Sequence, residues 1–423
     1  MEKLALYGGT PVRTAPWPSN LLGSAAIDEA ELNELKDVIT EQSPFRHYGI
    51  GHPNKVNTLE EKLRTYYGRK FALAVTSGSA ALQCAMVALG VGPGDEVILS
   101  DFTWYSDYYS IVNVGALPVF ADIDETLCLD PEDFERKITP RTKAVIVVNF
   151  QGGSAKMDRI CEIAHAHGIK IIEDCAQAMG CRNGDKLLGT YGDITVLSFQ
   201  LYKVLSAGEG GALIMDDEKY FVRAVRYHDV GFVREHFLNQ LSDKSLANDE
   251  ENFASCEFRM SELTGAFLVA QFGKLDKILS TCRASHRRIR EHFKDNKHFK
   301  IRYTEGDCGM AVCMFFNTPE EADKFNECLT AEGLQIGPAS ACCNLLHKYP
   351  VKSRKLAHEA MMPFGKGCYA ENVPMDAATC PNTDKILARY LAISIGYRYG
   401  EQEINDIITA VDKVCAAIYG EDK

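Results

Sequence analysis

The chain has 423 residues and a formal charge of -12 at pH 7, from 46 Lys plus Arg against 58 Asp plus Glu, with 46% hydrophobic and 25% charged residues. That composition can bury a sizeable core and excludes disorder or a collagenous repeat as the main state. The acidic balance argues against a surface built to grip nucleic acid or anionic lipid. The Cys count, 15, is odd and the residues are scattered, so they read as free thiols in a reducing compartment rather than a disulfide framework. The start of the chain has no basic segment leading into an apolar run, and no apolar stretch reaches about 18 residues; a soluble, cytoplasmic protein is expected.

In chain order, residues 1–25 are rich in Pro and Gly and read as an extended arm. Leu32, Leu35, Val38 and Ile39 recur at helical spacing, which predicts a helix over 27–39. Short β-branched runs then predict strands over 71–75, 96–99, 117–121, 144–148, 170–172, 194–198 and 211–214, with helices over 80–89 and 157–166 between them. Alternation of this kind implies a mostly parallel or mixed sheet covered on both faces, with ligands bound at the carboxyl ends of its strands. Residues 235–257 are polar and weakly periodic and predict a mobile or partner-covered loop. A long helical tract follows over 261–293, then a strand over 310–315 and a helix over 319–331. A last apolar stripe runs over 404–419. The expected division is an arm (1–25), a large α/β domain (26–260) and a hinge helix with a small C-terminal α/β domain (261–423).

Three segments carry the chemistry. Thr76-Ser77-Gly78-Ser79-Ala80 is a small-residue turn from a strand into a helix, where free N–H groups favour an anion; many such turns bind nothing, and P-loop spacing is absent. Glu173-Asp174-Cys175-Ala176-Gln177 puts carboxylates at the end of an apolar strand, either as a helix cap or as acceptors for a protonated ring nitrogen or a metal. Ser198-Phe199-Gln200-Leu201-Tyr202-Lys203, followed by Gly208-Glu209-Gly210-Gly211, holds a lysine among apolar residues, where desolvation frees the amine as a nucleophile.

In this order, the three segments resemble the DegT/DnrJ/EryC1/StrS family of sugar aminotransferases, which are fold-type I enzymes dependent on pyridoxal 5'-phosphate. The resemblance runs from Gly8-Gly9 to Leu391–Gly396. It implies a large mixed-sheet, three-layer domain with a smaller C-terminal domain, and a homodimer with shared sites. It also implies that Lys203 forms the Schiff base and shuttles protons, that Asp174 holds the ring nitrogen protonated, and that Gln177 lies near the ring hydroxyl. Trp104 falls on the aromatic that stacks on the ring, while Gly78, Ser79, Ala80 and Ser198 bind the phosphate. The partners implied are an amino acid donor, glutamate or glutamine, and a keto-sugar acceptor.

One departure stands out. Where relatives carry Asn-x-Arg before the long helix, this chain has Glu257-Phe258-Arg259, and a carboxylate beside a phosphate repels it unless a cation intervenes. Glu257 and Arg259 are therefore candidate substrate contacts, as are Arg389 and Arg398 for a carboxylate. The lysine argues against the 3-dehydratase branch, which has histidine there. Segments 122–129, 138–143 and 153–158 resemble enzymes acting on eight-carbon ulosonates, whereas Gln200 and Lys203-Val204-Leu205 resemble cyclitol aminotransferases, so the acceptor stays open. A dehydratase or epimerase using the same cofactor, or a non-catalytic cofactor-binding protein, are the alternatives. Ala341–Lys348 with Cys368 and Cys380 lacks paired ligand spacing, and no metal is expected.

Overall fold

Runs such as Phe71–Val75 (β1) carry apolar or small residues on both faces, and such a strand is stable only where helices cover both sides of its sheet. The computed structural model of the chain describes residues 2–337 and 343–420. In it β1 joins Glu96–Ser100 (β2), Leu117–Ala121 (β3), Thr142–Val148 (β4), Lys170–Asp174 (β5), Ile194–Ser198 (β8) and Gly211–Met215 (β9) in a seven-stranded sheet. Arg182–Asn183 (β6) and Lys186–Leu187 (β7) form a separate hairpin. The sheet order is β1-β9-β8-β5-β4-β2-β3; β9 alone runs against the rest, antiparallel to both β1 and β8. The carboxyl ends of β1, β2, β4, β5 and β8 therefore open on one edge.

The helices of this part are Glu29–Thr40 (α1), Lys55–Tyr67 (α2), Gly78–Ala88 (α3), Tyr105–Asn113 (α4), Pro131–Arg136 (α5), Met157–Ala166 (α6), Glu218–His228 (α7) and Glu235–Leu238 (α8). Helix α1 begins where Asp28 accepts from the Ala30 amide and Glu31 reaches back to the Asp28 amide, a complete capping box. Its expected apolar stripe faces the core only in part: Val38 is buried, whereas Leu32 and Ile39 are 64% and 68% exposed. Buried Glu31 faces inward instead, where Gln271 Nε2 and Lys274 Nζ each donate to it at 2.7 Å. Residues 235–257 are also more ordered than their composition suggests, because Phe237 is fully buried and stacks edge-on against Phe221 and His228.

The predicted tract over 261–293 is two helices, Glu262–Phe272 (α9) and Leu275–Phe293 (α10), separated at Gly273 and Lys274. Beyond it, Phe299–Ile301 (β10), Ala311–Phe316 (β11), Ile336–Gly337 (β12) and Tyr390–Ser394 (β13) form a second, antiparallel sheet of order β10-β11-β13-β12. Pro319–Ala331 (α11) and the terminal helix Glu401–Tyr419 pack on it around Phe316, Phe325, Leu391, Ile407 and Val411. Two parts of the chain cross between the cores. Leu4 of the N-terminal arm packs into the second core, and Arg13 binds Asp406 at 2.7 Å and Glu403 at 3.1 Å. Conversely, Cys343, Leu345, Leu346, Phe364 and Ile386 pack into the core of the large sheet. Among the described residues no helix is long and apolar enough to cross a membrane.

Candidate active site

Lys203 lies in the loop joining β8 to β9. The Phe199 amide donates to Gly210 O at 2.8 Å and the Ala207 amide to Phe199 O at 3.0 Å, so the loop closes on itself while Val204, Leu205 and Ser206 anchor it in the core. The Lys203 side chain sits in a densely packed setting with part of its surface still open. Desolvation lowers its pKa, and the carboxyls of Asp174 and Asp107 oppose that shift. Glycine is required where this loop meets the turn after β1. A Cβ on Gly211 would lie 2.3 Å from Ser77 O, and one on Gly78 would lie 2.9 Å from Ser198 Cβ.

That contact brings Gly78 and Ser198 together at the start of α3. Ser77 caps the helix, accepting from the Ala80 amide at 3.0 Å through Oγ and from the Ala81 amide at 3.0 Å through its carbonyl. Ala80 was expected among the anion donors; the cap occupies its amide, and the donors left without an acceptor among the described residues are Gly78 and Ser79. The Ser79 hydroxyl meets Ser106 Oγ at 2.6 Å, so α3 and α4 begin face to face. Trp104, the residue before α4, is 52% exposed and is not a core tryptophan.

The neighbouring carboxylates at the end of β5 have different partners. Glu173 is saturated by the amides of Gly189 (2.6 Å), Tyr191 (2.9 Å) and Gly192 (3.1 Å) and by Asn149 Nδ2 (3.3 Å), so it fastens the loop before β8. Asp174 accepts one backbone hydrogen bond, from Ala176 at 2.7 Å. Burial raises its pKa, and the Ala176 amide, Lys203 and Asp107 oppose the shift. Gln177 Oε1 accepts from the Gln151 amide at 2.9 Å, and Gln151 in turn accepts from Cys313 Sγ at 3.1 Å and from the Tyr390 hydroxyl. Gln151 is in the left-handed region (φ 48°), and it links the site to β11 and β13 of the second sheet.

Sequence reading did not single out Asp107, Gln151 or Tyr390. Asp107 lies in the first turn of α4, where an acid reads as an ordinary partner of the helix dipole. The candidate substrate contacts are dispersed. The Phe258 carbonyl accepts from the Thr76 amide at 2.9 Å, which puts Glu257-Phe258-Arg259 beside the α3 turn. Arg259 is held by Asp229 and, at 2.5 Å, by Glu257, so a cation does neutralise this exposed carboxylate. Arg389 donates to Lys385 O at 3.2 Å and Arg398 to Ala25 O at 2.9 Å; among the described residues neither has a contact that brings it to Lys203 or Asp174. Among the described residues no cluster of three or more His, Cys, Asp or Glu side chains could hold a metal ion; Ala341 and Cys342 lie outside them.

The geometry thus gathers a lysine, a buried carboxyl and an open helix start at one sheet edge. The profile of the DegT/DnrJ/EryC1/StrS aminotransferase family matches residues 26–412. The chain belongs to that family. It is 33% identical over 367 residues, 84% of each chain, to the L-glutamine:2-deoxy-scyllo-inosose aminotransferase of Streptomyces kanamyceticus. Among solved structures it resembles DesI in the presence of its TDP-sugar product, with a TM-score of 0.76, 26% identity, and 99% of this chain and 97% of that one covered. The fold is also that of the Bacillus subtilis NtdA structure with bound cofactor PMP, with a TM-score of 0.75, 23% identity, and 95% of this chain and 86% of that one covered. The family is thus one of aminotransferases, and the fold is shared with a protein whose structure holds bound PMP.

Proposed function

We propose that this protein is a pyridoxal-phosphate-dependent aminotransferase that moves an amino group from glutamate or glutamine to a keto sugar or keto-cyclitol. The observation that carries the reading is the desolvated Lys203 amine beside the Asp174 carboxyl at the carboxyl edge of the large sheet. The residues suit the cofactor group by group. The free Gly78 and Ser79 amides match a phosphate, the buried Asp174 carboxyl matches a protonated ring nitrogen, and the accessible Trp104 indole offers a face for an aromatic ring.

When bound, the cofactor supplies an aldehyde that captures amines and a ring that takes up the electron pair left by a departing proton. Lys203 provides the nucleophilic nitrogen, because burial favours its neutral form, and then moves a proton at the substrate carbon undergoing exchange. Asp174 stabilises a proton on the ring nitrogen through its negative charge. Gln177, fixed by the Gln151 amide, orients the ring hydroxyl, and Ser198 adds a hydroxyl beside Gly78. A glutamine donor and a cyclitol ketone draw support from the inosose aminotransferase likeness, and a keto sugar from the likeness to DesI.

Borohydride reduction of the cofactor-loaded protein followed by mass spectrometry should place the adduct on Lys203; an adduct on any other lysine would sink the reading. Offering the amine-loaded protein a panel of inososes and keto sugars then identifies the acceptor, and a panel that yields only dehydrated or epimerised products would replace transamination with those reactions.

A further inference from the structure

The carboxyl of Asp107 has no place in the roles described above, yet it is buried at the centre of the site. Asp107 is the third residue of α4 and is 1% exposed. The Thr103 hydroxyl donates to its Oδ2, while Oδ1 is buried with no donor among the described residues. Across from it lies the Asp174 carboxyl on β5, within hydrogen-bonding reach. Among the described residues, the charged or titratable groups facing the pair are the Lys203 amine on the β8–β9 loop and, beside that amine, the Cys343 thiol.

Two ionised carboxylates in contact repel strongly where water is excluded, so one of them keeps a proton and donates it to the other. The partners decide which. Asp174 accepts the Ala176 amide, which stabilises its charge, whereas among the described residues Asp107 has only a neutral hydroxyl. Burial and the Asp174 charge both push the Asp107 carboxyl well above the usual carboxylate range.

We propose that Asp107 is a positioning residue: its neutral carboxylic acid donates a hydrogen bond to Asp174 and so presents the cofactor's ring nitrogen with one oriented carboxylate bearing a single negative charge. The proposal rests on the cofactor reading above, and it assigns Asp107 no contact with substrate. It explains how a second buried acid sits beside Asp174 without a second cation.

The test compares wild type with Asp107→Asn and Asp107→Ala. Asparagine keeps an oxygen for Thr103 and an N–H for Asp174, whereas alanine keeps neither. Infrared difference spectra of the proteins without cofactor should show the carbonyl stretch of a protonated carboxylic acid in wild type that is lost in Asp107→Asn. Pyridoxal phosphate titration should show Asp107→Ala weakened by roughly 10-fold to 100-fold, the worth of one hydrogen bond to a charged acceptor, with Asp107→Asn restored to within about threefold of wild type.

Absence of the infrared band from wild type would overturn the proposal. So would cofactor affinity in Asp107→Ala equal to wild type, or an equal loss in both variants, which would mean that Asp107 contributes charge rather than a donor. If the alanine variant does not fold by circular dichroism, the infrared band and the asparagine affinity decide together. Failure of wild type to take up pyridoxal phosphate would overturn the underlying reading of the site, and is told apart because the infrared band needs no cofactor.

Discussion

Glu173 and Asp174 show how adjacent residues of one type divide structure from chemistry. Side chains alternate across a strand, so Glu173 turns to the amides of the following loop while Asp174 turns to Lys203. Asp174→Asn should therefore fold like the native chain but lose most of its turnover, by about 3 kcal/mol or more of transition-state stabilisation. Near-native kinetics in that variant would assign the carboxyl to structure. Asp101 makes a second residue-scale prediction. It accepts from the Leu346 amide at 2.7 Å, and burial pushes its carboxyl up to about 7 from an ordinary value of 3.8. Between those values the native state binds more protons than the unfolded chain. Its contribution is thus present in acid and is lost as pH rises towards 7. Asp101→Asn, which removes the ionisation and keeps an oxygen for Leu346, should be more stable than wild type by about 1–2 kcal/mol at pH 8, with the gap closing as pH falls towards 4. Chemical denaturation at several pH values checks it; a pH-independent gap would contradict the assignment.

At the scale of elements, the site depends on how closely two turns approach. The β1–α3 turn touches the β8–β9 segment at Gly78 and Gly211, where any side chain meets backbone or a packed serine. Gly78→Ala should destabilise the fold by about 1–3 kcal/mol, the usual range for overpacking, and weaken cofactor uptake as the Gly78 and Ser79 amides shift. Gly92→Ala is the matched control, because its added Cβ meets nothing within 4 Å, and it should leave both properties unchanged. Thermal unfolding and cofactor titration of the two variants separate steric effects at the site from a general effect of replacing glycine.

At the scale of the whole molecule, apolar side chains remain uncovered beside the site. Tyr48 and Phe232 are 65% and 59% exposed, Ile50 and Val230 lie near them in sequence, and the Arg234 guanidinium lies over both aromatic rings. Val230 follows Asp229, which holds Arg259 next to the α3 turn. A monomer rarely leaves aromatic surface of this kind uncovered, and a homodimer that buries it beside the cofactor site is the assembly we propose. Phe232→Glu should then shift the protein towards monomer in sedimentation velocity and reduce cofactor retention together. A monomeric wild type, or a variant that dissociates with cofactor binding intact, would remove this surface from the site.

Much of this molecule was legible in the chain itself. The bounds of β1, β3, β8, α6 and α11 follow from residue patterning alone, because a strand or helix face is encoded within a few neighbouring residues. The order of the Gly78, Asp174 and Lys203 segments likewise pointed to the family without any coordinates. Tertiary structure alone decided which groups meet. It turned Leu32 and Ile39 of α1 outward, gave the Ala80 amide to Ser77, neutralised Glu257 with Arg259, and set Asp107 against Asp174. Gln151 and Tyr390 are 239 residues apart and nothing local relates them. The physical reason is that spacing along the chain specifies a residue's face, whereas the partner across that face is chosen by where distant segments cross and by which polar groups must be satisfied once water is excluded.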